Sequence, residues 1–135
     1  MPARPMRQRE LSQVQALAHE LWPYDPHHAF KDEYVFVWEK DDGMLGGFAC
    51  VSIRPWVDGT DAAPCPHVEG WFVEGAMRQG GVGRALILAI ENWCRQQGFR
   101  TLTSDTTLDN EVSLRAHKAL GFETTEQLQY FKKAL

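Results

Sequence analysis

The chain has 135 residues, of which 44% are apolar and 24% charged, a balance that excludes a disordered, collagen-like or coiled-coil protein. At this length folding withdraws roughly two thirds of the unfolded surface from water, enough for one core, so a single domain over residues 1–135 is expected. A formal net charge of −4 leaves no basic footprint for nucleic acid, and the apolar runs fall short of the roughly 18 residues that a membrane span needs.

"MPARPMRQRELSQ" opens the chain without an apolar signal segment, which gives a soluble cytoplasmic protein as the expectation. From Glu10, Leu11, Val14, Leu17, Ala18 and Leu21 recur at helical spacing until Pro23 stops them. "PYDPHHAFKDE" then reads as a loop with one short helical turn. Tyr34 to Lys40 is dense in β-branched and aromatic residues, Asp42-Gly43 is a turn, and "MLGGFACVSIR" is a second strand, so the pair predicts a hairpin. "PWVDGTDAAPCP" crosses the surface as a loop before strand character resumes at His67 in "HVEGWFV".

A glycine segment follows, then a helix to about Gln97 with Gly98 as its left-handed cap. A short strand is predicted over Thr101 to Asp105, a helix capped by Asp109 or Asn110 runs to Leu120 with Gly121 as its stop, and "FETTEQLQYFKK" closes as an extended segment. This order predicts an α+β fold, with a central mixed, mostly antiparallel twisted sheet and helices on both faces. Cys50, Cys65 and Cys94 are odd in number and form no CxxC pair, and the adjacent His27 and His28 have no third ligand at useful spacing. Neither a disulfide framework nor a metal site is expected.

Gly80, Gly81 and Gly83 stand where a helix must begin, although glycine is a poor helix former. A helix start exposes N–H groups without internal partners and carries roughly half a positive charge, and glycine lets an anion approach them. A phosphate cradle therefore explains the cost. A nucleoside-triphosphate loop would need Lys and Ser/Thr after its second glycine, but Arg84-Ala85 follows Gly83. The dinucleotide fingerprint fails at its third glycine.

The remaining pattern, Arg-x-x-Gly-x-Gly at Arg78, Gly81 and Gly83, resembles the acetyl-coenzyme A pyrophosphate loop of the GNAT N-acetyltransferase superfamily. "DNEVSLRAHKALGF", Asp109 to Phe122, resembles that superfamily's last motif. More narrowly the chain is similar to the aminoglycoside 6'-N-acetyltransferases, through "LWP" at Leu21 to Pro23, "SIRPWVDGTDAAP" at Ser52 to Pro64, "VEGWFV" at Val68 to Val73, "SDTTLDN" at Ser104 to Asn110, "HKALGFETTE" at His117 to Glu126 and "YFKK" at Tyr130 to Lys133. It departs from them in three places. The segment after the first helix is shorter and less acidic, Trp56 stands for a tyrosine, and Gly75 stands for a proline.

The resemblance implies acetyl-CoA as cosubstrate and a small cationic amine as acceptor, with the 6'-amine of an aminoglycoside the most specific choice and antibiotic resistance the corresponding role. Another polyamine, a protein amine, or a non-catalytic acyl-CoA sensor are the alternatives. It further implies that Phe72 and Val73 pair with the pantetheine arm through their backbone, that Arg78, Gln79, Gly80, Gly81, Val82, Gly83 and Arg84 hold the pyrophosphate, and that Asn110 and His117 lie beside the coenzyme. An amine must lose a proton before it attacks a thioester, so Glu69 and Asp105 are the candidate bases and cation-binding carboxylates. His117 is the first candidate for the acid that protonates the departing thiolate, and Tyr130 the second. Trp22, Asp25 and Trp56 are expected to border the acceptor, and the extended end leaves room for a final strand from a partner chain in a homodimer.

Overall fold

The computed structural model describes residues 3–78 and 80–135. In chain order these form a two-residue strand β1 (Arg4–Pro5), helix α1 (Leu11–Leu21), strands β2 (Glu33–Glu39), β3 (Leu45–Arg54) and β4 (Cys65–Val73), and helices α2 (Val82–Gln96) and α3 (Glu111–Ala119). Short 3-10 turns at Gln8–Glu10 and Gly75–Met77 precede α1 and α2.

Helix α1 forms where Val14, Leu17 and Ala18 make a buried stripe. It ends as Trp22 N–H reaches Ala18 O at 2.7 Å, because the next residue, Pro23, has no N–H to extend the ladder. The segment after it holds no helical turn; Phe30 and Asp32 adopt left-handed φ of 54° and 59°, which bends the chain into β2. The expected hairpin is present, with Tyr34 opposite Val51 and Val37 opposite Phe48. Its turn is tied by Asp42 Oδ1, which accepts the Met44 N–H at 2.9 Å, and by Gly43 at φ 85°.

Strand order is β1-β2-β3-β4, antiparallel throughout. β1, which the pattern does not signal, is fixed by charge: Arg4 donates to Glu10 at 2.9 and 2.7 Å and to Glu39 at 2.7 Å. Arg4 pulls the Glu10 carboxyl down to about 2, against the opposing effect of burial and with help from the Arg7 N–H.

Each face of the sheet has its own core. Val35, Val37, Phe48 and Cys50 pack under α1, while Phe36, Ala49, Val51 and Val68 pack against Leu86, Ile87 and Ile90 of α2. Those three α2 side chains are fully buried, each contributing roughly 1.5–3 kcal/mol.

Two expected strands are not realised. Over Thr101 to Asp105 the chain makes one parallel bridge, Thr103 to His67, with Val68 N–H on Thr103 O at 2.9 Å and Thr103 N–H on Pro66 O at 3.0 Å. The parallel component of the sheet is reduced to that bridge, and beyond Val68 no backbone hydrogen bond joins the outer edge of β4 to another segment among the described residues. Residues 122–135 form neither helix nor strand, and Leu128, Tyr130 and Phe131 are exposed.

Candidate active site

β4 delivers the chain to the start of α2, where Gly81 takes φ 84° as the residue preceding the helix and no side chain caps it. The first helical bond is Ala85 N–H to Gly81 O at 3.0 Å, so among the described residues the N–H groups of Val82, Gly83 and Arg84 have no helical acceptor. A Cβ at Gly81 would meet nothing within 4 Å, and one at Gly80 would meet only Met77 O at 3.4 Å, so the space before these amides is open. Gly83 has another reason to be glycine. A Cβ there would lie 3.3 Å from the Trp71 ring, whose Nε1 donates to Gly83 O at 3.2 Å, so this glycine seats α2 on β4. Arg78 turns back along the strand: its Nε donates to Val73 O at 2.9 Å and its guanidinium carbon lies 5.7 Å from the Phe72 ring centre. Gln79 lies outside the described residues.

On the α1 side of the sheet, Glu69 is the extra residue of a β-bulge. Gly70 pairs with Cys50 and Val68 with Val51, so the register slips by one at Glu69 and its carboxylate turns toward β3. There Ser52 Oγ donates to Oε2 at 2.5 Å, while Arg54 donates through Nε to Oε2 and through Nη2 to Oε1, each at 2.8 Å. Burial opposes ionisation of Glu69, but the Arg54 and Ser52 hydrogen bonds outweigh it and hold the carboxyl below its ordinary value. Asp105 is also held low, first by the His67 hydrogen bond at 3.1 Å and then, against burial, by the charges of His67, Arg54 and His117. The two carboxylates thus share Arg54 and His67 as neighbours, with Asp105 the open member at 73% side-chain exposure and Glu69 the enclosed one at 24%.

Other expected residues are placed differently from one another. His117 is held by α3 as a packed ring, edge-on to Trp71 at 5.2 Å and 5.1 Å from Phe122. Its Nδ1–H donates to Ser113 O at 2.7 Å, and its Nε2 lies 2.8 Å from Ser104 Oγ, accepting from that hydroxyl when the ring is neutral. Asn110 caps α3, its Oδ1 accepting the Ser113 N–H at 3.1 Å. Trp22 lies over Gly70, where a Cβ would sit 2.6 Å from the indole, and packs with Phe48 and His28. Trp56 and Tyr130 are exposed, and Tyr130 lies near Arg54. Asp25 accepts from His28 Nδ1 at 2.9 Å, and Glu33 accepts from His28 Nε2 at 2.7 Å, so the shortened segment carries its own cation between two carboxylates.

The family model described as Acetyltransferase (GNAT) family matches residues 5–122. The chain belongs to the GNAT acetyltransferase family. Aminoglycoside N(6')-acetyltransferase type 1 of Salmonella typhimurium is 36% identical over 98% of this chain and 99% of that relative. The enzyme of the same name from Stenotrophomonas maltophilia is 42% identical over 70% of this chain and 62% of its own length. Among solved structures, AAC(6')-Iy in complex with the bisubstrate analogue CoA-S-monomethyl-acetylneamine matches with a TM-score of 0.87 at 34% identity, covering 98% of this chain and 97% of the other.

As a GNAT acetyltransferase the chain uses acetyl-CoA as donor, and the unobstructed amides at the start of α2 fit a phosphate group. Ser52, Arg54, His67, Thr103 and Ser104 bind the candidate residues, and none of them is named as a site residue from the sequence. Alternation along β3 puts Ser52 and Arg54 on one face, which is a usable signal. The pairing of His67 with Asp105 links residues 38 positions apart and has no local signature.

Proposed function

We propose that the chain transfers the acetyl group of acetyl-CoA to an amine of an aminoglycoside, with the 6'-amine as first choice, and so inactivates the antibiotic. The observation that carries this reading is the pair of low-pKa carboxylates, Glu69 and Asp105, grouped around Arg54 on the face opposite the α2 helix. Identity to relatives named for that activity, along nearly the whole chain, supports the acceptor class.

Acetyl-CoA supplies an acyl carbon already activated as a thioester. The amides of Val82, Gly83 and Arg84 at the start of the helix, with Gly80 and Gly81 clearing the approach, would hold the diphosphate. The open edge of β4 at Phe72 and Val73 would receive the pantetheine arm as an added strand. Arg78 leaving Val73 O for the diphosphate would free that carbonyl for the arm. Glu69 has its carboxylate committed to Ser52 and Arg54, so it serves as an anchor for the acceptor cation, and the attacking nitrogen sheds its proton to Asp105 or to water. His117 Nε2 accepts from Ser104 Oγ in the neutral ring and has no proton to give there, so the exposed Tyr130 hydroxyl is the first choice for the acid that protonates sulfur and His117 the second. A drop in kcat for Y130F with H117A active supports this assignment, and the reverse pattern overturns it.

Coenzyme A release measured over aminoglycosides, linear polyamines and peptide amines tests the reading. Preference for aminoglycosides is expected, whereas tight acetyl-CoA binding without turnover of any amine refutes it in favour of a sensor. The proposed compartment is the cytoplasm, where acetyl-CoA is made and the free thiols of Cys50, Cys65 and Cys94 stay reduced. The proposed assembly is a homodimer in which residues 123–135, with exposed Leu128 and Phe131, cross to a second copy and carry Tyr130 into that copy's site. A groove of about 620 Å³ lined by Phe99, Leu102, Leu120 and Phe122 is the receiving site. Light scattering should read two chains, and a single-chain mass refutes the exchange.

A further inference from the structure

His67 has only 2% of its side chain exposed, yet it sits directly behind the open carboxylate of Asp105. Glu10 is the other charged or polar side chain in the interior among the described residues, and Arg4 and Arg7 account for it. His67 lacks such an ordinary explanation. Its Nε2 lies 3.1 Å from Asp105 Oδ2, and because a carboxylate only accepts, Nε2 must carry a hydrogen. Its Nδ1 lies 2.8 Å from Thr103 Oγ1, a hydroxyl that is also 2.9 Å from Pro66 O.

That hydroxyl can serve either charge state of the ring. With a hydrogen on Nε2 alone, the Thr103 O–H points at Nδ1 and donates to it. With hydrogens on both nitrogens, the Thr103 O–H turns to Pro66 O and its oxygen accepts from Nδ1. Neither state leaves a hydrogen of this triplet without a partner, so one hydroxyl rotation is all that separates them. The Asp105 contact survives in both. What changes is the net charge behind the wall: neutral His67 leaves the full negative charge of Asp105 for a ligand, whereas the imidazolium cancels it.

We propose that His67 is the positioning residue of Asp105 and sets, through its own protonation, how strongly the acceptor wall attracts a cationic amine. This rests on the reading of Asp105 as part of the acceptor site. The groups that bear on the pair are Thr103 on the same segment, Cys65 and Glu69 on β4, Ser52 and Arg54 on β3, and His117 on α3. Of these Glu69 favours the charged ring, Arg54 opposes it, and both stay ionised across the range in which histidine titrates.

The test measures the dissociation constant of neamine by calorimetry in the presence of coenzyme A, between about pH 7 and pH 5, where histidine changes charge, with the ligand's own protonation measured separately and subtracted. In the wild-type protein it should rise about fivefold toward pH 5, the factor that corresponds to one exposed ion pair. H67Q keeps an N–H donor near the Nε2 position but cannot charge, so its dissociation constant should stay flat. H67F removes the donor and should bind weakly at every pH. The same acid-side rise in H67Q overturns the proposal. A second measurement needs no variant at His67: nitrogen NMR of its imidazole should show both nitrogens protonated at low pH, with a titration that shifts in D105N and on adding neamine. An unmoved titration in D105N overturns the pairing. A shift in D105N without any effect of neamine shows instead that the pair is intact and that the acceptor reading has failed.

Discussion

Gly81→Ala and Gly98→Ala form a matched pair that isolates anion binding from backbone strain. Both glycines have left-handed φ, 84° and 90°, and at both a Cβ would meet no protein atom within 4 Å. Gly81 stands at the start of α2 before the free amides, and Gly98 stands just past its end, so the two differ chiefly in what lies in front of them. An alanine forced to left-handed φ costs roughly 1–2 kcal/mol, part of which the lower entropy of the unfolded chain offsets. Each variant should therefore melt a few degrees lower, by about 4 °C per kcal/mol for a domain of this size. At Gly81 alone the methyl group stands between an amide and the diphosphate, and one charge-assisted hydrogen bond contributes about 1.5–3 kcal/mol. That predicts a coenzyme A dissociation constant raised about 10- to 150-fold in Gly81→Ala and unchanged in Gly98→Ala. Titration calorimetry with coenzyme A reads this directly. Equal melting losses with wild-type coenzyme affinity in both variants would refute the cradle.

Gly70→Ala puts a Cβ 2.6 Å from the Trp22 indole and 3.1 Å from Cys50 Sγ, an overpacked contact that should cost about 1–3 kcal/mol in urea unfolding; a neutral effect would show that Trp22 is free to move. His28 is buried enough to disfavour its charge, but the Asp25 and Glu33 hydrogen bonds outweigh this and raise its pKa. A raised histidine stabilises fully below its unfolded value and loses that contribution as pH rises through the folded one, so His28→Ala should be most destabilising below about pH 6 and nearly silent at alkaline pH, and a pH-independent difference in denaturation midpoints would contradict it. Glu69→Gln removes the anchor and leaves Arg54 without its carboxylate; kcat/KM for an aminoglycoside should fall about 10- to 100-fold, the effect of losing one hydrogen-bonded charge, while coenzyme A affinity stays near wild type. Unchanged acceptor kinetics would remove Glu69 from the site.

Periodicity and punctuation carried the parts of the fold that local forces decide. The stripe of α1, the α2 helix closed by Gly98 at φ 90°, the α3 helix capped by Asn110 and stopped by Gly121 at φ 91°, and the Asp42-Gly43 hairpin all stand as read. What depends on a partner was not legible. β1 exists because Arg4 finds Glu10 and Glu39, and Thr101 to Asp105 meets β4 at the one His67–Thr103 bridge instead of along its length. At the proposed site, Glu69 and Asp105 can be named as candidates from the sequence, but their environments cannot. Alternation alone puts Val68 and Gly70 on one face, whereas the bulge at Glu69 sends them to opposite cores and aims the carboxylate between them. Trp22, expected beside the acceptor, lies over Gly70, whose missing side chain makes room for the indole on the sheet.

The neighbours make the two carboxylates unequal, and that inequality bears on which one meets the attacking nitrogen. Glu69 carries a two-pronged guanidinium and a hydroxyl, so its net field on a ligand is that of an ion pair, which falls off faster with distance than that of a lone charge. Asp105 has one imidazole behind it and solvent in front, and with His67 neutral it projects a full negative charge. An ammonium ion entering the proposed acceptor site is therefore drawn first to Asp105 and reaches Glu69 only at contact distance. If so, D105N should lower the association rate of a polyamine, and do so less at high salt, whereas E69Q should act mainly on its dissociation rate. Stopped-flow binding at two ionic strengths separates these. Equal effects of both variants on association would mean that Arg54 leaves Glu69 when the acceptor arrives.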